Sequence, residues 1–185
     1  VIPVLWMGMT SLKTQTEFMR DAWLPPTQPT VNAYVELFTR ANFGRYFANT
    51  LIVTLASVAV ILAVGSLAAF ALSRYQFRGR TAVLSFFLLG QMVPATTLMV
   101  PLYLIVRELR LLSTYEGLIL AYTGGGLPLV VFLLYGFFIT IPKEIEDAAR
   151  IDGSGELQLY WRIALPLGAP GLATAGIFEF MFIWN

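Results

Sequence analysis

Residues 51–72 read LIVTLASVAVILAVGSLAAFAL, and no charge interrupts the chain between Arg45 and Arg74. A hydrocarbon layer about 30 Å thick is crossed by about 20 apolar residues in a helix. The stretch centred on Leu51 to Leu72 therefore predicts a spanning helix. Two further uncharged runs follow outward from it, Thr81 to Val106 and Gly117 to Pro142. Buried helices of a large soluble protein are the alternative, but three such runs joined by short charged connectors favour lipid. Composition agrees: 57% of residues are hydrophobic and 12% charged, far from the balance of soluble domains. The fold class is an all-α, polytopic transmembrane helical bundle.

The same composition excludes several kinds of chemistry. A net charge of +1 leaves no basic face for a nucleic-acid backbone. With no cysteine and no histidine, disulfides, thiolate metal sites, Ser-His-Asp triads and HExxH zinc sites all drop out. The ends read as interrupted elements. Val1 to Met9 is apolar but too short to span and lacks the basic flank of a signal peptide, and a new apolar run from Leu167 stops at Trp184-Asn185. The expectation is a fragment cut at both ends and lacking its last span. Between the first remnant and the first full span, Thr10 to Asn49 carries Pro25, Pro26 and Pro29 with mixed charges and reads as a solvent-side connector, with a short surface helix over Val31 to Phe47.

By parity, that connector and Arg107 to Glu116 share one side of the membrane, while Ser73 to Arg80 and Lys143 to Arg162 share the other. Each side holds six Lys or Arg, so only the density of Arg74, Arg78 and Arg80 in one short loop marks that side as cytoplasmic. Pro94, Pro101 and Pro128 lie inside the runs and predict kinks or local breaks, which lipid tolerates where protein or a water-filled cavity covers the freed carbonyls. Gly65 and Ala69, one helical turn apart, permit close helix contact.

The stretch from Ile141 to Pro170, IPKEIEDAARIDGSGELQLYWRIALPLGAP, is too charged for hydrocarbon and too well punctuated for a loop. Pro142 suits a first helical position. Glu144, Glu146 and Asp147 complement the positive end of the helix dipole, Arg150 the negative end, and Gly153 is a left-handed stop. Ser154 then caps a second helix, in which Leu157, Tyr160, Trp161 and Ala164 share one face before Pro166 ends it. Two short helices meeting at a glycine elbow predict a docking element. Its excess of acids favours a protein partner over the lipid surface, which selects a basic polar face.

Here the chain resembles a known family. Asp147-Ala148-Ala149, three residues, Gly153, nine residues, Ile163, one residue and Leu165-Pro166 match the EAA motif of permease subunits of binding-protein-dependent ABC importers, with Asp where the motif usually has Glu. SLK at Ser11 to Lys13, NAY at Asn32 to Tyr34, Phe43-Gly44-Arg45 with Asn49, SRYQFRGR at Ser73 to Arg80, QMVP at Gln91 to Pro94, and Trp184-Asn185 extend the likeness. Together they are similar to the carbohydrate branch, the maltose-type inner-membrane permeases. The resemblance implies a six-span core of the type I importer kind, one permease domain over 1–185, and a cytoplasmic coupling loop over 141–166. Its implied setting is a bacterial or archaeal inner membrane, and its implied partners are a second permease, two copies of an ABC ATPase and an extracytoplasmic solute-binding protein. It implies no catalysis and no cofactor in this chain: ATP and magnesium belong to the ATPase, and the chain contains no GxxxxGK[ST] loop.

Within the loop, Glu146 and Asp147 would offer carboxylates to the ATPase, with Ala148, Ala149 and Gly153 setting the elbow and Leu157, Tyr160 and Trp161 filling an apolar cleft or bracing it. Candidates for a solute pathway are Gln91, Met92 and Thr96 around Pro94. Glu179, alone in its apolar stretch, is either a pathway carboxylate or a structural partner for a further segment. The competing reading is an ion-gradient-driven secondary transporter, which calls for internal repeats and several intramembrane ionisable groups. A membrane enzyme or a channel is weaker still.

Residues 1–185 contain no cysteine, so single cysteines introduced here report on the topology of this segment. Of single cysteines at Gln28, Gln76 and Gln158, a thiol reagent that does not cross membranes should label only Gln28→Cys in intact cells; labelling of Gln158→Cys overturns the orientation.

Overall fold

The computed structural model describes residues 2–184, so Val1 and the Asn185 of the closing Trp-Asn pair lie outside the described residues. The described residues contain helices and no strand. They run α1 (Ile2–Ser11), α2 (Gln15–Arg20), α3 (Asn32–Thr39), α4 (Phe43–Arg74), α5 (Arg80–Met92), α6 (Ala95–Glu108), α7 (Tyr115–Thr140) and α8 (Lys143–Ile151). Then come α9 (Glu156–Leu159), a π-turn (Tyr160–Ala164), α10 (Leu165–Leu167) and α11 (Ala169–Trp184). They divide into two compact units, Val1–Thr50 and Leu51–Asn185.

The first unit is held by aromatic packing and a few aimed hydrogen bonds. The Trp6 ring lies 5.5 Å from Trp23 and 6.5 Å from Phe18, and its indole N–H donates to the Ala22 carbonyl at 3.1 Å. Thr14 caps α2 by accepting from the Glu17 N–H. Lys13 is buried and its Nζ donates to the Asp21 carbonyl at 2.6 Å. The single surface helix predicted over 31–47 is instead two pieces. Asn42 adopts φ 50° between α3 and α4, a left-handed conformation that Asn tolerates better than most residues and that a helix cannot pass through.

The second unit is organised around α7, which packs against α5, α6 and α11. Its seam with α4 is set by Gly65: a Cβ there would stand 2.8 Å from Val130 Cγ1. Ile61, Ala69, Phe70, Val130, Leu134, Phe138, Ala175 and Ile183 form the core. On α11 the buried positions Gly171, Ala175, Glu179 and Ile183 recur every fourth residue, the stripe of one helix face.

Among the described residues, two helices, α4 and α7, are long and apolar enough to cross a membrane unaided. The run over 81–106, expected to span with a kink or local break at its prolines, is two helices. It breaks at Val93–Pro94, where Val93 is extended, and α5 and α6 meet at 108°. Pro94 lacks an N–H and pushes the residue before it out of the helical region. Pro101 and Pro128 leave α6 and α7 unbroken, so of the three prolines one breaks its run.

The seam yields a stability prediction for the isolated full-length chain in detergent. Gly65→Leu should lower stability by about 1–3 kcal/mol through overpacking, whereas Gly136→Ala, where an added Cβ meets nothing within 4 Å, should be neutral or slightly stabilising. Equal thermal midpoints for both variants contradict the close approach of α4 and α7.

Candidate functional site

The site is the elbow between α7 and α11, and it starts from the way α7 ends. Ile141 is the C-cap, and Pro142, with ψ 132°, is extended and stands one residue before the helix, outside the first helical position expected for it. α8 then runs for nine residues and closes in a Schellman arrangement. The Ser154 N–H reaches the Ala149 carbonyl at 2.9 Å, the Gly153 N–H reaches that of Arg150 at 3.0 Å, and Gly153 sits at φ 85°. The left-handed stop expected at Gly153 is present, with both bonds of the motif. The next cap differs from expectation: Gly155, not Ser154, is the N-cap of α9, and its N–H donates to Gln158 Oε1 at 3.3 Å.

α8 turns a single carboxylate, that of Glu146, inward. Glu146 is 1% exposed, and its Oε1 accepts from Nε of Arg74, itself 4% exposed, at 2.5 Å. Arg74 Nη2 also donates to the Ile141 carbonyl at 3.2 Å. The guanidinium thus serves an ion pair and the C-terminal end of α7, where the helix dipole favours a cation. The expectation that Glu146 offers its carboxylate to a partner is therefore corrected: a buried charge needs a paired counter-charge, and Arg74 supplies it from within the chain. Asp147 stays at the surface, paired with Arg150 at 2.9 Å. Facing outward are Ala148, Ile145 and Ile151, the last 88% exposed.

The second arm divides its predicted apolar face. Tyr160 and Ala164 are buried, while Leu157 and Trp161 are exposed. Tyr160 packs 5.4 Å from Phe70, and its hydroxyl is 2.7 Å from Ser66 Oγ, the hydrogen-bond partner that a buried phenol requires. Trp161 turns out beside it. Pro166 does not end this helix. The π-turn takes the Leu165 N–H back to the Tyr160 carbonyl, and the wider turn carries the chain through the proline to the bend at Gly168.

A charged network joins the arms. Arg150 reaches Glu156 at 3.2 Å as well as Asp147, and Glu156 accepts from the Tyr75 hydroxyl at 2.6 Å. The hydrogen bond from Arg150, then that from Tyr75, holds the Glu156 carboxyl below its ordinary range. Burial, then the bond to Glu156, pushes the Tyr75 phenol up to about 12.

The four pathway candidates separate. Gln91, Met92 and Thr96 are exposed at the α5–α6 break. Glu179 is 2% exposed and lies in the seam, where a Cβ at Gly126 would stand 2.5 Å from its Oε2 and 2.8 Å from Ile61 Cδ1. It is a core residue among the described segments and not a lining residue of that break.

Sequence reasoning missed Arg74, Tyr75, Glu156, Ile145 and Ile151. Ile145, Ala148 and Ile151 at a spacing of three were a usable signal for the outer face; nothing in the local pattern pairs Arg74 with Glu146.

Comparison with known proteins places the chain. Residues 61–185 match the model of the binding-protein-dependent transport system inner membrane component, and the chain belongs to that family of inner-membrane transport components. It is 34% identical over its full length to the diacetylchitobiose uptake system permease protein NgcG of Streptomyces coelicolor, covering 61% of that protein. It is 36% identical, again over its full length, to the trehalose transport system permease protein SugB of Mycobacterium tuberculosis, covering 67%. A crystal structure of a bacterial ABC transporter involved in the import of the acidic polysaccharide alginate matches with a TM-score of 0.87 at 27% identity, over 99% of this chain and 64% of that one. The chain thus spans roughly two thirds of the length of these relatives.

The phenol supplies a spectroscopic check. In a difference titration against Tyr75→Phe, Tyr75 should ionise near pH 12. Because its folded value is raised, the stabilisation it reports is complete below the ordinary tyrosine range near 10 and is lost as pH rises through 12. Glu156→Gln should move the transition part of the way down and no further, since burial is the larger cause. An unperturbed titration near 10 in the parent breaks the network.

Proposed function

We propose that the whole subunit is the permease of an ATP-driven importer, carrying a sugar or a related small solute into the cytoplasm by alternating access. In this reading residues 1–185 belong to one transmembrane permease domain, and 141–166 is its coupling loop. The observation that carries it is the placement of α8, which buries one carboxylate, Glu146, on Arg74 while Ile145, Ala148 and Ile151 face out. A helix that turns its apolar side away from its own core is built to be covered. With Leu157 and Trp161 from the second arm also exposed and Asp147 at the rim, the surface fits a protein cleft with basic groups at its edge.

Family membership supports an ATPase as the occupant, in two copies, with a second permease and an external solute-binding protein completing the assembly. ATP and magnesium sit in the ATPase, and this chain makes and breaks no bonds. Relatives named for diacetylchitobiose and trehalose uptake support a saccharide. The exposed break at Gln91, Met92 and Thr96 is the proposed pathway wall, since irregular backbone at membrane depth persists where it lines a cavity or is covered by protein.

The test uses the full-length subunit reconstituted with its partners. Alone in proteoliposomes it should give no ATP-dependent uptake; uptake driven by an ion gradient would replace this reading with a secondary transporter. In the assembly, Ile151→Glu should weaken ATPase attachment about tenfold or more, equivalent to about 1.4 kcal/mol. Gly153→Val and Asp147→Lys should insert normally yet lose solute-stimulated hydrolysis and uptake. If all three variants attach, hydrolyse and transport like the parent, the elbow is not the coupling element.

A further inference from the structure

We propose that Arg74 is the positioning residue of the elbow, tying α8 to the ends of α4 and α7 so that a force applied to the loop moves both spans as one body. The proposal rests on the coupling reading and adds what transmits the motion. Arg74 is the last residue of α4, and its guanidinium donates in two directions: Nε to Glu146 of α8 and Nη2 to the Ile141 carbonyl at the end of α7. Three helices therefore meet on one planar cation, a geometry that a lysine ammonium on a flexible stem does not reproduce.

Both side chains are almost fully withdrawn from solvent, so neither charge can leave the other without a large loss. The joint is two-state, made or broken, with no cheap intermediate slack. α4 also holds the second arm, through Ser66 to Tyr160 and through Tyr75, just past its end, to Glu156. With both arms attached to one span, the elbow cannot turn independently of α4, and Arg74 passes the movement on to α7. Arg150 is no substitute. It reaches Glu146 only at 4.0 Å, is itself more than a third exposed, and belongs to α8, so it links the loop to itself.

Two readouts separate this joint from mere folding and from the coupling reading. The first is the mobility of a spin label at Asp152→Cys in the full-length subunit alone, where no ATPase is needed. The second is solute moved per ATP hydrolysed in the reconstituted assembly. Arg74→Lys and Glu146→Gln should loosen the label and lower solute per ATP about tenfold, within the usual range of coupling effects. Arg74→Met combined with Glu146→Leu replaces a buried pair by apolar groups, a change that stability often tolerates; it should insert and assemble, yet show the same loose label and low ratio.

A parental label mobility and a parental ratio in that double variant overturn the proposal while leaving the elbow as the coupling element. Failure of all the variants to insert overturns it too, by making the pair a folding requirement. If the parent assembly itself shows no solute-coupled hydrolysis, the coupling reading falls, and the label alone then decides whether Arg74 holds the loop.

Discussion

The second unit depends on one buried ion pair, Arg74 with Glu146. Bringing both charges out of water costs several kcal/mol per ion, and their attraction offsets that only where geometry is good and the remaining donors are used. The bond to the Ile141 carbonyl uses one of them at a helix end, where the dipole adds to the attraction. Removing either partner leaves an uncompensated charge, a loss of about 3–5 kcal/mol. A close apolar contact would stabilise the same corner at lower risk, so what the pair adds is direction: it specifies which turn of α8 meets which turn of α4.

That specification decides which face of α8 looks outward. With Glu146 anchored inside, the rotation of the helix is set, and Ile145, Ala148 and Ile151 have nowhere to go but out. The second arm is oriented by the same logic. Tyr160 must reach Ser66 with its hydroxyl, which commits Trp161, one position on, to the surface. Two internal polar bonds thus expose the apolar side chains that a partner can cover, and the outer surface is a consequence of the inner one.

Much of this was legible in the sequence where a single periodicity governs. The uncharged runs gave α4 and α7, and the Pro142 to Gly153 punctuation gave α8 with its left-handed stop, because capping chemistry is local. The α5–α6 break was visible as a proline hazard, but two prolines of that run, Pro94 and Pro101, could have caused it, and only packing decides which one does. Glu146 and Asp147 are adjacent acids with the same local preference. One is buried and one exposed because of a residue 72 positions away from Glu146, and no short-range pattern carries that information. Leu157, Tyr160, Trp161 and Ala164 fit one helical face on paper. The interior boundary cuts through that face, since Tyr160 is drawn in by a hydroxyl on another helix.

The elbow glycine is easily mistaken for a hinge. Gly153 lies at φ 85° with its own N–H and that of Ser154 both bonded back into α8, so the turn is closed and its freedom has been used to reach a conformation that other residues adopt at a cost of about 1–2 kcal/mol. On the far side, Arg150 and Glu156 bridge the two arms across that turn. A flexible joint here would absorb displacement applied to the outer face; a closed one transmits it to the residues behind, which are Arg74 and Tyr160. Among the described residues, the exposed proline break between α5 and α6 contrasts with this closed turn, since helical bonding there is already interrupted.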